Sequence, residues 1–279
     1  MTTTRAASKT ALMVAGYRGR ASARPDPICD DPWAARLAGD EGTELARRYD
    51  EAFPHMELWL AVRTAFLDER VRRAASAGVE QVVLLGAGFD TRAARLSRPG
   101  LRFFEVDHGE SQRAKRDRLA ELPGYPVDAA TYVTCDFEHQ DFVERLAGAG
   151  WRADRPALFL WEGVTPYLTE AAVRATLRRV AEATHPSSVL VFDHVRRKIV
   201  SGDVQDPRDL ESRAFVENVG EPLRFGVDYP LPMLYEGGFR RVCMLTFDEV
   251  TLDLTGTYDR ARAFRFQGVA MASRAAELV

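Results

Sequence analysis

One run of the sequence reads as a strand ending in glycine, Val82-Val-Leu-Leu-Gly86-Ala87-Gly88-Phe-Asp90-Thr-Arg92, and a series of acids follows successive apolar runs. Glycine at 86 and 88 lets the chain turn sharply and lets its backbone approach a ligand that a Cβ would exclude. The acids are Asp90 after the first run, Glu105 and Asp107 closing the second, Asp136 after the third, Glu162 after the fourth and Asp193 after the fifth. Any one of them also reads as a helix N-cap or a solvated loop residue. Taken as a series at the ends of parallel strands, they converge on the crevice outside the carboxyl edge of an open sheet. An acidic crevice repels a phosphate-rich nucleotide and suits a ligand with a cation, ribose hydroxyls and an amino group, all served by acceptors. S-Adenosylmethionine has that inventory. Its carboxylate then needs a cation, and the N-terminal region offers Lys9 and Arg63.

These residues require elements to hold them. Residues 1–78 read as mainly helical, because Asp50 to Ala77 spaces Phe53, Leu58, Leu60, Val62, Phe66, Leu67 and Val71 among charges at close to a helical period. From Gln81 the pattern changes to short apolar runs, Val82 to Leu85, Leu101 to Val106, Thr131 to Cys135, Ala157 to Trp161 and Val189 to Phe192. Between them lie helix candidates at Arg92 to Leu96, Gly109 to Leu122, Gln140 to Ala147 and Thr169 to Ala183, with Thr169 as an N-cap. Near-continuous apolar strands belong to a parallel sheet covered on both faces. The fold class is therefore α/β: a doubly wound, Rossmann-like sheet, mostly parallel with an antiparallel closing strand. As a single domain over 1–279 it divides into an N-terminal helical cap (1–78), a cofactor-binding core (79–195), a lid-like insertion (196–230) and a closing helix with two strands (231–279). The insertion includes a helix-like stretch, Asp209 to Asn218.

Composition narrows the function classes. A chain of 279 residues with 46% apolar content can bury a large core, and a formal charge of -3 gives no general attraction to nucleic acid or a membrane surface. Cys29, Cys135 and Cys243 show neither a disulfide framework nor zinc-ligand spacing, so no metal is expected. The apolar run Ala11 to Tyr17 is too short for a membrane span, and a soluble protein of the reducing cytoplasm is expected.

Four motifs then stand in order: Lys9 with Gly16-Tyr17; Leu85-Gly-Ala-Gly-Phe-Asp-Thr-Arg92; Phe104-Glu-Val-Asp107-His; and Trp161-Glu162-Gly-Val-Thr-Pro-Tyr167-Leu. With Cys135-Asp136-Phe137 after the third run, they resemble the leucine carboxyl methyltransferase family, including its bacterial branch of polyketide carboxyl O-methyltransferases. The resemblance spans about residues 8–194. It implies a class I S-adenosylmethionine-dependent methyltransferase in which Lys9 and Arg63 hold the methionine carboxylate and Gly86, Ala87 and Gly88 line the cofactor. Asp107 would bind the ribose, Asp136 and Phe137 would face adenine, and Glu162 would sit near the amino group or the sulfonium. Where the family commonly has an arginine after the acidic-apolar pair, this chain has Glu138, and Arg196 or Arg213 from the insertion is a candidate replacement.

Methyl transfer from a sulfonium demands alignment of nucleophile, methyl and sulfur. A carboxylate acceptor needs a water-poor pocket and no base. A hydroxyl acceptor needs a base, for which His194 or His139 stands first, and Tyr167 is the candidate for orienting the acceptor. The leading reading is O-methylation of a carboxylate on a secondary metabolite or peptide C-terminus, releasing S-adenosylhomocysteine; hydroxyl methylation is the alternative. A nicotinamide oxidoreductase is disfavoured because Thr91 stands where a third glycine belongs. A binding module that no longer transfers methyl groups is a third reading.

Overall fold

The computed structural model describes residues 9–52, 55–203, 222–257, 267–275 and 278; the helix-like stretch 209–218, with Arg213, lies outside the described residues. Three helices lead, α1 (Lys9–Ser22), α2 (Ala34–Ala52) and α3 (Met56–Ser76). Then strands and helices alternate: β1 (Gln81–Leu85), α4 (Arg92–Leu96), β2 (Arg102–Asp107), α5 (Gly109–Ala120), β3 (Ala130–Thr134), α6 (Phe142–Gly148), β4 (Ala157–Trp161), α7 (Glu170–Ala183) and β5 (Val189–Val195). The chain continues through α8 (Arg197–Ser201), α9 (Leu231–Glu236), β6 (Arg241–Thr246), α10 (Phe247–Thr255) and β7 (Gln267–Ser273).

The seven strands form one sheet in the order β3-β2-β1-β4-β5-β7-β6. Neighbours from β3 to β5 pair parallel, and β7 runs antiparallel to both β5 and β6. The expected doubly wound sheet is therefore present, with β7 as its reversed strand. The long helical period expected over Asp50 to Ala77 belongs to two helices, because α2 ends at Ala52 and α3 starts at Met56.

Burial explains the near-continuous apolar strands. In β1, Val83 and Leu85 join the core packed by α6, α7 and α9, whereas Val82 and Leu84 join the core packed by α1, α3 and α10. β4 divides the same way, with Phe159 and Trp161 on one face and Leu158 and Leu160 on the other. Truncating any of these to alanine removes contacts on a fully covered face, at a cost of about 2–5 kcal/mol.

Two local features position the site. Thr169 caps α7, its hydroxyl accepting the Ala172 N–H at 3.2 Å. Gly16 of α1 lies so close to α2 that a Cβ there would stand 2.4 Å from the Gly42 carbonyl oxygen. Tyr17 beside it donates to Asp50 at 3.1 Å. The Gly16-Tyr17 pair thus holds α1 against α2, and α1 in turn reaches the end of β1, where Ala11 lies 3.3 Å from the Cβ that Gly88 lacks.

Candidate functional site

Chain order reverses between β1 and β4, and the crevice at their carboxyl ends is where an open sheet of this kind holds its ligand. A cleft of about 220 Å³ opens there, many times the space that one water occupies. Arg63, Gly86, Ala87, Gly88, Asp90, Asp107, Asp136, Phe137, Glu162 and Tyr167, all expected as site residues, line it. Gly86 and Gly88 have φ of 70° and 49°, left-handed values that favour glycine. At Gly86 a Cβ would also stand 2.3 Å from Val164 Cγ2, so the floor of the cleft excludes any side chain there.

Asp107 braces that floor. Its carboxylate accepts the Gly88 N–H at 2.6 Å and the His108 N–H at 2.7 Å. Burial raises its pKa, and these two donors offset part of the rise.

Beside the floor runs a buried network of charges. Arg92 donates through Nε to Asp68 at 2.7 Å and through Nη1 to Glu162 at 2.6 Å and to Asp90. Arg63 ion-pairs with Glu162 at 2.7 Å and donates to Asp193 at 2.8 Å, and its guanidinium stacks 4.4 Å from the Trp59 ring centroid. Arg18 donates to Asp31 at 3.0 Å and to the Phe89 carbonyl at 2.5 Å. Burial opposes the charge on Asp90, but Arg92, Arg18 and Lys115 outweigh it and hold its pKa down at about 2. Glu162 is lowered in the same way, burial being overcome by Arg92 and Arg63. At Asp193 burial wins over Arg63 and raises the pKa.

Three expected site residues lie elsewhere. Lys9 is exposed at the start of α1 and does not line the cleft; its neighbour Thr10 does. Glu105 shares a face of β2 with Asp107 but sits two residues further from the strand's carboxyl end, where it is buried against Lys115 of α5, 2.5 Å from Nζ, and does not line the cleft. Its pKa is raised to about 7 by burial, against the pull of Lys115. His194 is also absent from the cleft: its Nδ1 lies 3.1 Å from the Val227 carbonyl, and its Nε2 would stand 2.8 Å from a Cβ on Gly268 of β7. Burial lowers its pKa to about 4. Of the two candidate replacements for the family's arginine, Arg196 does not line the cleft and Arg213 lies outside the described residues.

The expected acidic character is also modified. Asp90, Asp107, Asp136, Glu138 and Glu162 line the cleft, but so do Arg18, Arg63, Arg92 and Arg224. Arg92 sits within the Asp90-Thr-Arg motif and Arg18 directly follows Gly16-Tyr17, so both were adjacent to signals already present in the sequence. Arg224 had no local signal.

The comparisons accord with this architecture. The family model for leucine carboxyl methyltransferase matches residues 11–181. A Mycolicibacterium gilvum protein named as an S-adenosyl-L-methionine-dependent methyltransferase is 35% identical over 251 residues, covering 84% of this chain and 78% of its own length. A Mycobacteroides abscessus protein of the same name is 30% identical, covering 75% and 74%. Among solved structures, a Thermobifida fusca protein described as a methyltransferase superposes with a TM-score of 0.65 at 16% identity, covering 97% of this chain and 96% of that one. A Streptomyces avermitilis protein of the DUF574 family gives 0.64 at 14% identity, covering 94% and 97%. At such identities the two structures speak for the fold alone. Among the described residues, no helix is long and apolar enough to cross a membrane.

Proposed function

The chain belongs to the leucine carboxyl methyltransferase family and is an S-adenosylmethionine-dependent methyltransferase, and from this we propose that its methyl acceptor is a carboxylate oxygen of a small metabolite or a peptide C-terminus. The observation that carries the choice of carboxylate is the position of His194, which is buried, neutral at physiological pH and turned to the Val227 carbonyl rather than to the cleft. Among the described residues the histidine that lines the cleft is His108, the N-cap of α5, whose ring accepts the Glu110 N–H beside Asp107. Of the cleft's carboxylates, Glu162 is committed to Arg92 and Arg63 and Glu138 to Thr169. A hydroxyl acceptor needs a base within hydrogen-bond reach, whereas a carboxylate is already the nucleophile.

The cleft fits the cofactor. Its floor excludes side chains at Gly86, and two buried polar atoms of cleft-lining residues, Thr10 Oγ1 and Arg92 Nη2, have no hydrogen-bond partner among the described residues. Donors left over in a buried wall call for acceptors on a ligand. In this reading Asp107 takes the ribose hydroxyls, Asp136 and Phe137 meet adenine, and Glu162 faces the amino group. Arg63, with Thr10 in place of Lys9, meets the methionine carboxylate. When bound, S-adenosylmethionine supplies a methyl on a sulfonium; an acceptor oxygen pair forms the new C–O bond while the C–S pair stays on sulfur, releasing S-adenosylhomocysteine. The protein's contribution is alignment and exclusion of water, with Tyr167 orienting the acceptor.

Single-turnover methylation of matched acids and alcohols tests this. Acids are expected to turn over with a rate that is flat above about pH 6, and His194→Gln is expected to leave that rate within about threefold. Turnover of alcohols alone, or a loss of about a hundredfold in His194→Gln, overturns it.

A further inference from the structure

We propose that Arg224 recognises the negative charge of the methyl acceptor and that Glu138 beside it sets how tightly, an inference that rests on the carboxylate reading above. Of the guanidiniums lining the cleft, those of Arg18, Arg63 and Arg92 are buried and bound to buried acids. Arg224 differs: its side chain is 51% exposed, and its ion-pair partner among the described residues is Glu138, at 3.6 Å. That distance is beyond a hydrogen bond, and the Glu138 carboxylate is already engaged by the Thr169 N–H at 3.0 Å and the Thr169 hydroxyl at 2.9 Å. A half-exposed pair of this length is a weak competitor.

The backbone beneath Arg224 is nevertheless fixed. Its N–H donates to the Pro166 carbonyl at 2.6 Å and that of Phe225 to the same oxygen at 3.2 Å, with Phe225 buried in the core. Two residues on, the Val227 N–H donates to the Val195 carbonyl at 2.8 Å. Pro166 adjoins Tyr167, so Arg224 enters the cleft on the rim that carries the proposed acceptor-orienting hydroxyl. A guanidinium on a pinned backbone, loosely held by one carboxylate, is arranged to exchange that contact for a two-pronged grip on an incoming carboxylate. An amide or alcohol of the same shape forms no such fork and is discriminated against.

The test uses the full chain saturated with S-adenosylhomocysteine, titrated calorimetrically with benzoate, cinnamate and decanoate and with their primary amides, beside a turnover assay with S-adenosylmethionine on the same acids. Wild type is expected to bind acid over amide by about tenfold or more, Arg224→Ala to abolish that preference, and Arg224→Lys to restore part of it, since an ammonium offers no fork. Glu138→Gln is expected to tighten acid binding about threefold by removing the competing charge. In all three variants the affinity for S-adenosylhomocysteine itself should hold. An acid preference that survives Arg224→Ala, or variants that weaken acid, amide and S-adenosylhomocysteine alike, overturns the role of Arg224 and leaves the carboxylate reading standing. Wild type that binds no acid, or prefers the amides, overturns both.

Discussion

Arg63 and Asp193 stand 130 residues apart in the sequence, and 2.8 Å separates Nη1 of the first from Oδ2 of the second. The contact joins α3 to the carboxyl end of β5, and Asp193 passes it on by accepting the Gly163 N–H at 2.7 Å beside the cleft. The leading helices are therefore built into the floor of the site.

Arg63→Met is expected to cost about 3–5 kcal/mol of stability, because it leaves Asp193 and Glu162 buried with a cation removed. Urea unfolding measures this, and calorimetry with S-adenosylmethionine measures the affinity, expected to fall by about a hundredfold if Arg63 also meets the methionine carboxylate. An unchanged affinity in a destabilised variant would reduce Arg63 to a structural tie.

Gly86→Ala is expected to abolish detectable cofactor binding and lower Tm. The left-handed backbone alone costs about 1–2 kcal/mol, and the new methyl would collide with Val164 Cγ2. Adding Val164→Ala should relieve the collision and recover part of the Tm but not the backbone strain. Thermal unfolding of the single and double variants separates the two contributions.

Asp107→Asn keeps the size of the side chain while removing its charge and one acceptor. Affinity for S-adenosylmethionine should fall by about 10–100-fold, the scale of a hydrogen bond to a charged group. Tm should fall as well, since the Gly88 N–H bonds Oδ2 and the His108 N–H bonds Oδ1, and one of the two loses its acceptor in the variant.

The pH dependence of stability should contain two opposed contributions. His194 titrates near 4 in the folded chain against an ordinary 6.5, so between those values the unfolded chain binds the extra proton. Stability therefore rises with pH across that window, by at most about 3 kcal/mol, and the contribution is complete above 6.5. Glu105 titrates at about 7 against an ordinary 4.5, so the folded chain holds the extra proton there and stability falls as pH rises from 4.5 to 7. His194→Gln should remove the rising component and Glu105→Gln the falling one; urea midpoints from pH 4 to 7.5 check the signs. Parallel profiles in wild type and both variants would refute the assignments.

Local chemistry already determined much of this protein. The alternation of apolar runs with amphipathic stretches dictates a sheet covered on both faces, since no other arrangement hides strands such as Ala157–Trp161 completely. Glycine at 86 and 88 and acids after each strand follow from the same local logic, and ten of the expected site residues do line the cleft. What tertiary structure decided is which side chains compensate which. The packing of α5 placed Lys115 against Glu105, two residues short of the carboxyl end of β2, and the antiparallel β7 packed against His194 and removed it from the site. Arg92 and Arg63 became the hubs of a buried charge network whose partners come from α3, the end of β4 and β5. Arg224 reached Glu138 across a long interval of sequence. Hydrophobic period is a property of neighbours along the chain, whereas a buried charge is satisfied by whatever the fold places within about 3 Å of it, and sequence spacing carries no record of that.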